Sequence, residues 1–273
     1  DLGIARQIGD LHSTATALMS IGSIESEIGE FDTAMRHLVQ ARDTFGEIGD
    51  AVRRANAVGN IGNTLLRRGE LGAAVDCLRE NLEFFERTGS EGSVATTLGS
   101  LGVAYLYGGD QDNAADCFHR QIDIGTSIGK LDQVARGSLN LGIVHERRGE
   151  FESALEYYRR SAALNEDLGQ VNSRATAIGN MGDCHRMLKS YEESLECNYQ
   201  ALNTHRTIGV PYSMAYWLSG IARTLIDVHD LPAMPDYLPK HIPEATTETW
   251  REEALRHARR SAEECVDIST TLA

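Results

Sequence analysis

Asparagine side chains recur at a fixed spacing in this sequence. Asn60, Asn140 and Asn180 are separated by multiples of 40 residues. An asparagine amide donates and accepts hydrogen bonds at once, which suits a grip on the backbone of an extended peptide. The sequence also contains arginines near these asparagines. An arginine guanidinium group can hold a carboxylate through two parallel hydrogen bonds. The arginines are Arg67, Arg136, Arg147 and Arg186. Residues of these types could bind a peptide if the fold brings them to one exposed surface.

The sequence offers little for catalysis or for metal and nucleotide binding. Glycine pairs such as Gly59-x-x-Gly62 lack the preceding strand and the Lys-Ser/Thr pair of a phosphate-binding loop. His145 and His185 are 40 residues apart, but no cysteine or acidic spacing completes a zinc site. No order of Ser, His and Asp indicates a nucleophile. We therefore expect no enzyme, no cofactor and no metal.

Glycines show an internal repeat of 40 residues. One series is Gly9, Gly49, Gly89, Gly129, Gly169 and Gly209. A second is Gly22, Gly62, Gly102, Gly142 and Gly182. A third is Gly29, Gly69, Gly109 and Gly149, with Lys189 in the fifth place. A fixed period of this length is typical of arrays of one supersecondary unit.

Each repeat is predicted to form two helices. In one of them the apolar spacing predicts a first helix over about 51–68 and a second over about 71–88. Gly69 then stands where a left-handed helix cap is needed. Gly62 lies inside the first helix, at a cost of about 1 kcal/mol relative to alanine. We expect close approach of the second helix to offset this cost, with the small residue Ala74 against Gly62.

Two strings resemble a known repeat family: SLGVAYLYGGDQDNAADCF (100–118) and NLGIVHERRGEFESALEYY (140–158). The tetratricopeptide pattern Leu-Gly-x-x-Tyr…Ala-x-x-x-Phe is matched by Leu101, Gly102, Tyr105, Ala114 and Phe118. The resemblance implies an all-α fold, a right-handed α-solenoid of about six antiparallel helix pairs. A period of 40 residues, rather than about 34, is similar to repeats in Pins/LGN-type polarity adaptors and in multidomain bacterial signalling proteins.

The resemblance also implies which residues face the concave groove of the solenoid. They are Asn56, Asn60, Asn63, Arg67, Arg136, Asn140, Arg147, Asn180, Asp183 and Arg186. We expect them to bind a protein or peptide ligand, either an extended segment or a helix, and the arginines favour an acidic one. The alternative interpretation is that these side chains are solvated or bond neighbouring helices.

We expect one solenoid domain over residues 1–273. Residues 1–9 align with 41–49, the end of a second helix, which indicates a piece of a longer protein. Five regular repeats follow over 10–209, and a sixth over 210–273. An insertion at about 229–250 interrupts the sixth repeat, since four of the five prolines lie there. The insertion either caps the end of the array or acts as a lid or strap.

Composition limits the classes of ligand and the cellular location that fit this chain. The chain has 26 Lys+Arg against 40 Asp+Glu, and this net charge of −14 argues against nucleic-acid binding. No apolar run is long enough for a membrane span. Five cysteines without a C-x-x-C pair fit a cytoplasmic location. The scarcity of lysine beside arginine is typical of a GC-rich, bacterial genome.

Two functions remain. The first is a protein-interaction scaffold that binds a peptide or partner helix in the groove. The second is a regulatory or oligomerising arm of a larger bacterial signalling protein whose effector domain lies outside this sequence. Open solenoid ends that expose apolar helix faces favour self-association.

Overall fold

The computed structural model describes residues 10–271, in which we find thirteen helices and no strand. In chain order they are α1 (Leu11–Glu27), α2 (Phe31–Glu47), α3 (Ala51–Arg68), α4 (Leu71–Thr88), α5 (Glu91–Tyr107), α6 (Gln111–Ser127), α7 (Leu131–Arg147), α8 (Phe151–Asp167), α9 (Val171–Met187), α10 (Tyr191–Ile208), α11 (Pro211–His229), α12 (Leu238–His241) and α13 (Trp250–Thr271). The predicted all-α fold of helix pairs is confirmed. Residues 1–9, with the predicted end of a second helix, lie outside the described part of the chain.

Local residue choices set the helix ends. Asp50 caps α3, because its side chain accepts a hydrogen bond from the backbone N–H of Arg53 at 3.0 Å. Gly69 ends α3 with a φ of 87°, a left-handed conformation that glycine adopts without steric cost. The predicted helices over 51–68 and 71–88 are therefore confirmed, and so is the cap between them. Lys189 occupies the equivalent place in a later pair and also has a positive φ, of 62°.

The chain divides into two compact units, one ending at Gln133 and the other beginning at Val134. In unit 1 each of the helices α1 to α5 packs against the next along the chain, and the first helices of successive pairs also touch. Connections of two or three residues make consecutive helices antiparallel neighbours. Side chains such as Leu38, Phe45 and Phe118 are fully buried between the helices. Unit 1 thus presents one face of α1, α3 and α5 away from its second helices.

Glycines inside the first helices are covered by large side chains. A Cβ at Gly62 would lie 2.9 Å from Cγ of Leu78, and one at Gly142 would lie 2.4 Å from Cε1 of Tyr158. The predicted close approach is confirmed, but its partner is not Ala74. The residue four positions later, one helical turn further on, reaches over the glycine. In two equivalent pairs the predicted small residue also lies close, since a Cβ at Gly22 or Gly182 would be 3.0 or 3.2 Å from the backbone oxygen of Ala34 or Ser194.

Unit 2 incorporates the proline-rich insertion into its core. Leu238 and Ile242 of the insertion are fully buried against α10, α11 and α13, in the same cluster as Trp217. Lys240 forms ion pairs with Glu192 and Glu196 of α10. This packing favours the capping interpretation of the insertion over the lid.

Within residues 10–271, none of the helices combines the length and the apolar character that crossing a membrane requires.

Candidate peptide-binding surface

An open polar cavity of about 370 Å³ lies on the first-helix face of unit 1. Three predicted site residues, Asn56, Asn60 and Asn63, line it from α3. The other lining residues are Met19 of α1, Gly59 of α3, Leu78, Asn81 and Phe85 of α4, and Gly92, Ser93, Thr96, Thr97 and Ser100 of α5. We call this space the asparagine cavity. The three asparagines lie together on α3, as the predicted helix register requires. Hydroxyl groups of α5 also line the cavity.

The floor of the asparagine cavity is fixed by a buried amide. Asn81 is 3% exposed, and its Nδ2 donates to the backbone carbonyl of Ala55. Its Oδ1 accepts a hydrogen bond of 2.7 Å from the hydroxyl of Thr97. Gly59 leaves room for this amide, since a Cβ there would lie 3.3 Å from Oδ1. Because both ends of the amide have partners, Asn81 shapes the cavity and holds three helices together.

The rim of the cavity retains free hydrogen-bonding groups. Asn56 is exposed and Asn63 half-buried, and neither side chain has a partner within residues 10–271. The hydroxyl of Ser100 is likewise unpaired in that range. Asn60 differs, because its Nδ2 donates to Oγ of Ser23 on α1 at 3.0 Å. Asn56, Asn63 and Ser100 are therefore the groups best placed to bind a ligand.

The predicted arginine of unit 1 lies outside the cavity. Arg67 is exposed in the last turn of α3 and has no ion-pair partner among the described residues. It is absent from the cavity lining, which contains no charged side chain. A carboxylate on a ligand would therefore meet Arg67 only beyond the cavity.

The remaining predicted residues belong to unit 2. Asn140 and Asn180 are half-buried, on α7 and α9, and Arg136 and Arg147 are exposed on α7. None of these four lines either of two cavities in the described part of unit 2, which are formed around Ile178 and around Tyr237. Their assignment to a binding groove stays a prediction.

Two predicted site residues of unit 2 are engaged with α11. Asp183, 7% exposed, accepts hydrogen bonds from Nη2 of Arg223 at 2.9 Å and from the hydroxyl of Tyr216 at 3.0 Å. Arg186 donates from Nη1 to Oδ2 of Asp227 at 3.0 Å. Burial raises the pKa of Tyr216, so its hydroxyl stays protonated and remains a donor. Asp183 and Arg186 thus bond a neighbouring helix, as the alternative interpretation expected.

Sequence reasoning missed the α11 partners. Tyr216 and Arg223 lie 40 residues after Thr176 and Asp183, so they occupy groove positions of the sixth repeat. The period alone was a sufficient signal for them. The assignment of groove residues stopped one repeat too early.

A half-buried carboxylate lies at the end of α7. Glu146 accepts a hydrogen bond of 2.6 Å from the hydroxyl of Tyr158 on α8. Burial raises the pKa of Glu146, and the hydrogen bond from Tyr158 partly opposes that rise. Because this bond and the contact with Gly142 hold both ends of the Tyr158 ring, the pair serves the packing of α7 on α8.

One group in unit 2 has the composition of a metal site. Ligand atoms of Glu244, Glu253 and His257 lie within 4.8 Å of one another. Nε2 of His257 is 2.6 Å from a carboxylate oxygen of Glu244, and Arg256 donates to Glu253 at 2.8 Å. The guanidinium already neutralises the most buried carboxylate of the group. The contact between Glu244 and His257 joins the insertion to α13.

The tetratricopeptide repeat family matches residues 53–126 and 133–207, together more than half of the chain. The chain belongs to this family. Its repeats form a helical scaffold of the kind that generally serves protein interaction.

Solved structures share the fold at low sequence identity. BtubC (BKLC) from P. vanneervenii is 14% identical with a TM-score of 0.64, over 96% of this chain and 92% of that chain. The Rap conjugation gene regulator of the plasmid pLS20, solved in complex with the Phr* peptide, is 15% identical with a TM-score of 0.68, over 98% of this chain and 79% of that one. A STAND protein with a tetratricopeptide repeat sensor, from Pyrococcus horikoshii, is 14% identical with a TM-score of 0.70, over 95% of this chain and 42% of that one. No curated protein sequence matches the chain.

Proposed function

We propose that this protein is an interaction scaffold that binds an extended peptide segment of a partner in the asparagine cavity. The observation that carries the proposal is the amide pair of Asn56 and Asn63 on the rim of a preformed cavity, neither of which has a side-chain partner among residues 10–271. Each amide presents a donor and an acceptor, which matches the N–H and C=O groups of an extended backbone. The adjacent hydroxyl of Ser100 adds a third contact from α5.

The dimensions of the cavity fit a short piece of chain. A space of about 370 Å³ lies within the range of small-ligand sites. Met19, Leu78 and Phe85 contribute apolar surface among the polar groups. A bound segment would therefore satisfy its backbone on the rim and bury an apolar side chain between the helices.

A structural neighbour supports this choice of ligand. The Rap regulator of plasmid pLS20 was solved with a peptide bound, and it shares the fold of this chain. The proposal includes a non-enzymatic role, as the lack of catalytic motifs predicts. It also includes a cytoplasmic location and no binding to nucleic acid or membrane, as the cysteine usage, the net charge and the lack of a long apolar run predict. The proposal also retains the predicted similarity of the 40-residue repeats to those of Pins/LGN-type adaptors.

The proposed preference for an acidic ligand depends on Arg67 rather than on Arg186. Arg186 is paired with Asp227, whereas Arg67 is exposed and unpaired among the described residues. Acidic residues of a ligand would therefore contact Arg67 next to the cavity rather than inside it.

The test is capture of partners from a lysate of the source organism with the full chain. The variant replaces Asn56 and Asn63 by Ala, and the matched control is Asn203→Ala, an exposed asparagine on second helix α10 with no side-chain partner in the described residues. We expect at least one protein to bind the wild type and the control but not the double variant. Identical captures by all three would overturn the proposal.

A regulatory or oligomerising arm is the second candidate. The fold matches a STAND protein whose tetratricopeptide repeats form a sensor. Ile24 and Ile28 at the end of α1 are 60% and 70% exposed, an apolar patch suited to self-association. Light scattering across a concentration series is expected to show a dimer that Ile24→Asp dissociates. A monomer at all concentrations would remove this candidate.

A further inference from the structure

We infer that the asparagine cavity selects an uncharged segment of its ligand. The inference rests on the proposed function and adds the chemistry of the bound segment. Thirteen residues line the cavity, and none is ionisable. Charged residues make up 24% of the chain, so thirteen residues of average composition would include about three.

The cavity offers dipoles but no counter-charge. Amides and hydroxyls of Asn56, Asn63 and Ser100 can replace the water bound to a peptide group. They do not compensate the lost hydration of an ammonium or a carboxylate, whose burial without a partner is strongly unfavourable. A neutral segment therefore loses little on entering, whereas a charged one is excluded.

The shape of the cavity adds a preference for an aliphatic side chain. Leu78 and Phe85, both buried, line the cavity from α4, and Met19 lines it from α1. Gly92 keeps the α5 side open, because a Cβ there would meet nothing within 4 Å. Filling this space with a larger residue would block the cavity without straining the helix.

The experiment is a selection from a display library of random twelve-residue peptides on the immobilised full chain. Parallel selections use Gly92→Leu, which fills the cavity, and Gly72→Leu as the matched control. Gly72 is also the second residue of a helix, and a Cβ there also meets nothing within 4 Å, but it lies outside the cavity. Enriched peptides are then titrated in 50 and 500 mM NaCl.

We expect peptides that bind the wild type and Gly72→Leu but not Gly92→Leu. They should share at least three consecutive uncharged residues, one of them aliphatic. For peptides without acidic residues, which make no ion pair with Arg67, the Kd should change less than twofold between the two salt concentrations, since salt screens only charged contacts.

The outcomes separate the two proposals. Cavity-dependent peptides with a charged core, whose Kd weakens more than tenfold at high salt, would overturn the uncharged selection and leave the binding site intact. Peptides that bind Gly92→Leu as well as the wild type would overturn the proposed site and the inference with it.

Discussion

Substitution of Gly142 by alanine tests how the helix pairs pack. The new Cβ would lie 2.4 and 2.5 Å from Cε1 and Cδ1 of Tyr158, far inside normal contact distance. The ring cannot move away easily, because Tyr158 is fully buried and its hydroxyl bonds Glu146. Overpacking of this kind costs about 1–3 kcal/mol. The intrinsic helix preference of alanine over glycine returns about 1 kcal/mol.

Contacts as short as 2.4 Å place this substitution in the upper half of that range, about 2–3 kcal/mol. After the gain from alanine, we expect Gly142→Ala to lower the free energy of unfolding by about 1–2 kcal/mol. Urea denaturation followed by circular dichroism measures it. Gly72→Ala is the control, since its Cβ meets nothing within 4 Å, and it should be neutral or slightly stabilising. Combining Gly142→Ala with Tyr158→Ala should remove the cost of the alanine, because the ring is gone. A Gly142→Ala protein as stable as Gly72→Ala would refute the packing argument.

Three further predictions concern other parts of the fold. Asn60→Ala is expected to cost about 0.5–1.5 kcal/mol in urea unfolding, because it removes a hydrogen bond between α1 and α3; an unchanged midpoint would contradict this. Burial lowers the pKa of His205 below its ordinary value of 6.5, so the folded state binds a proton less readily than the unfolded state. The free energy of unfolding should therefore be highest above pH 6.5 and decrease as the pH falls below that value. His205→Gln should weaken that pH dependence, and an identical dependence in the variant would show that another group causes it. Arg223→Ala should destabilise unit 2 by about 1–2 kcal/mol, because it leaves the carboxylate of Asp183 with fewer hydrogen-bond donors. The cost is smaller than for a fully buried ion pair, since the side chain of Arg223 is 44% exposed. Thermal unfolding equal to that of the wild type would contradict a stabilising role of the Arg223–Asp183 contact.

Local structure followed from the sequence because it depends on local residue types. The 40-residue glycine series fixed the ends of helices such as α3 and α4, since Gly69 adopts the left-handed conformation that few other residues tolerate. Apolar spacing gave the buried faces. The family resemblance supplied the groove register that brought Asn56, Asn60 and Asn63 to one cavity.

Contacts between helices could not be predicted in the same way. Size and reach decided that Leu78, rather than Ala74, covers Gly62. Asp183 appeared as a groove residue, but its charge is neutralised by a side chain 40 positions later on α11. Such pairings depend on the distances between helices, which the spacing of residues along one helix does not contain.

The central claim is that the asparagine cavity is where the ligand binds. The most direct test is the Kd of a captured partner, or of a selected peptide, for the wild type, Gly92→Leu and Gly72→Leu. We expect Gly92→Leu to weaken binding at least tenfold, which corresponds to about 1.4 kcal/mol, and Gly72→Leu to leave it unchanged. Equal Kd values for the two variants would show that the ligand binds elsewhere on the chain.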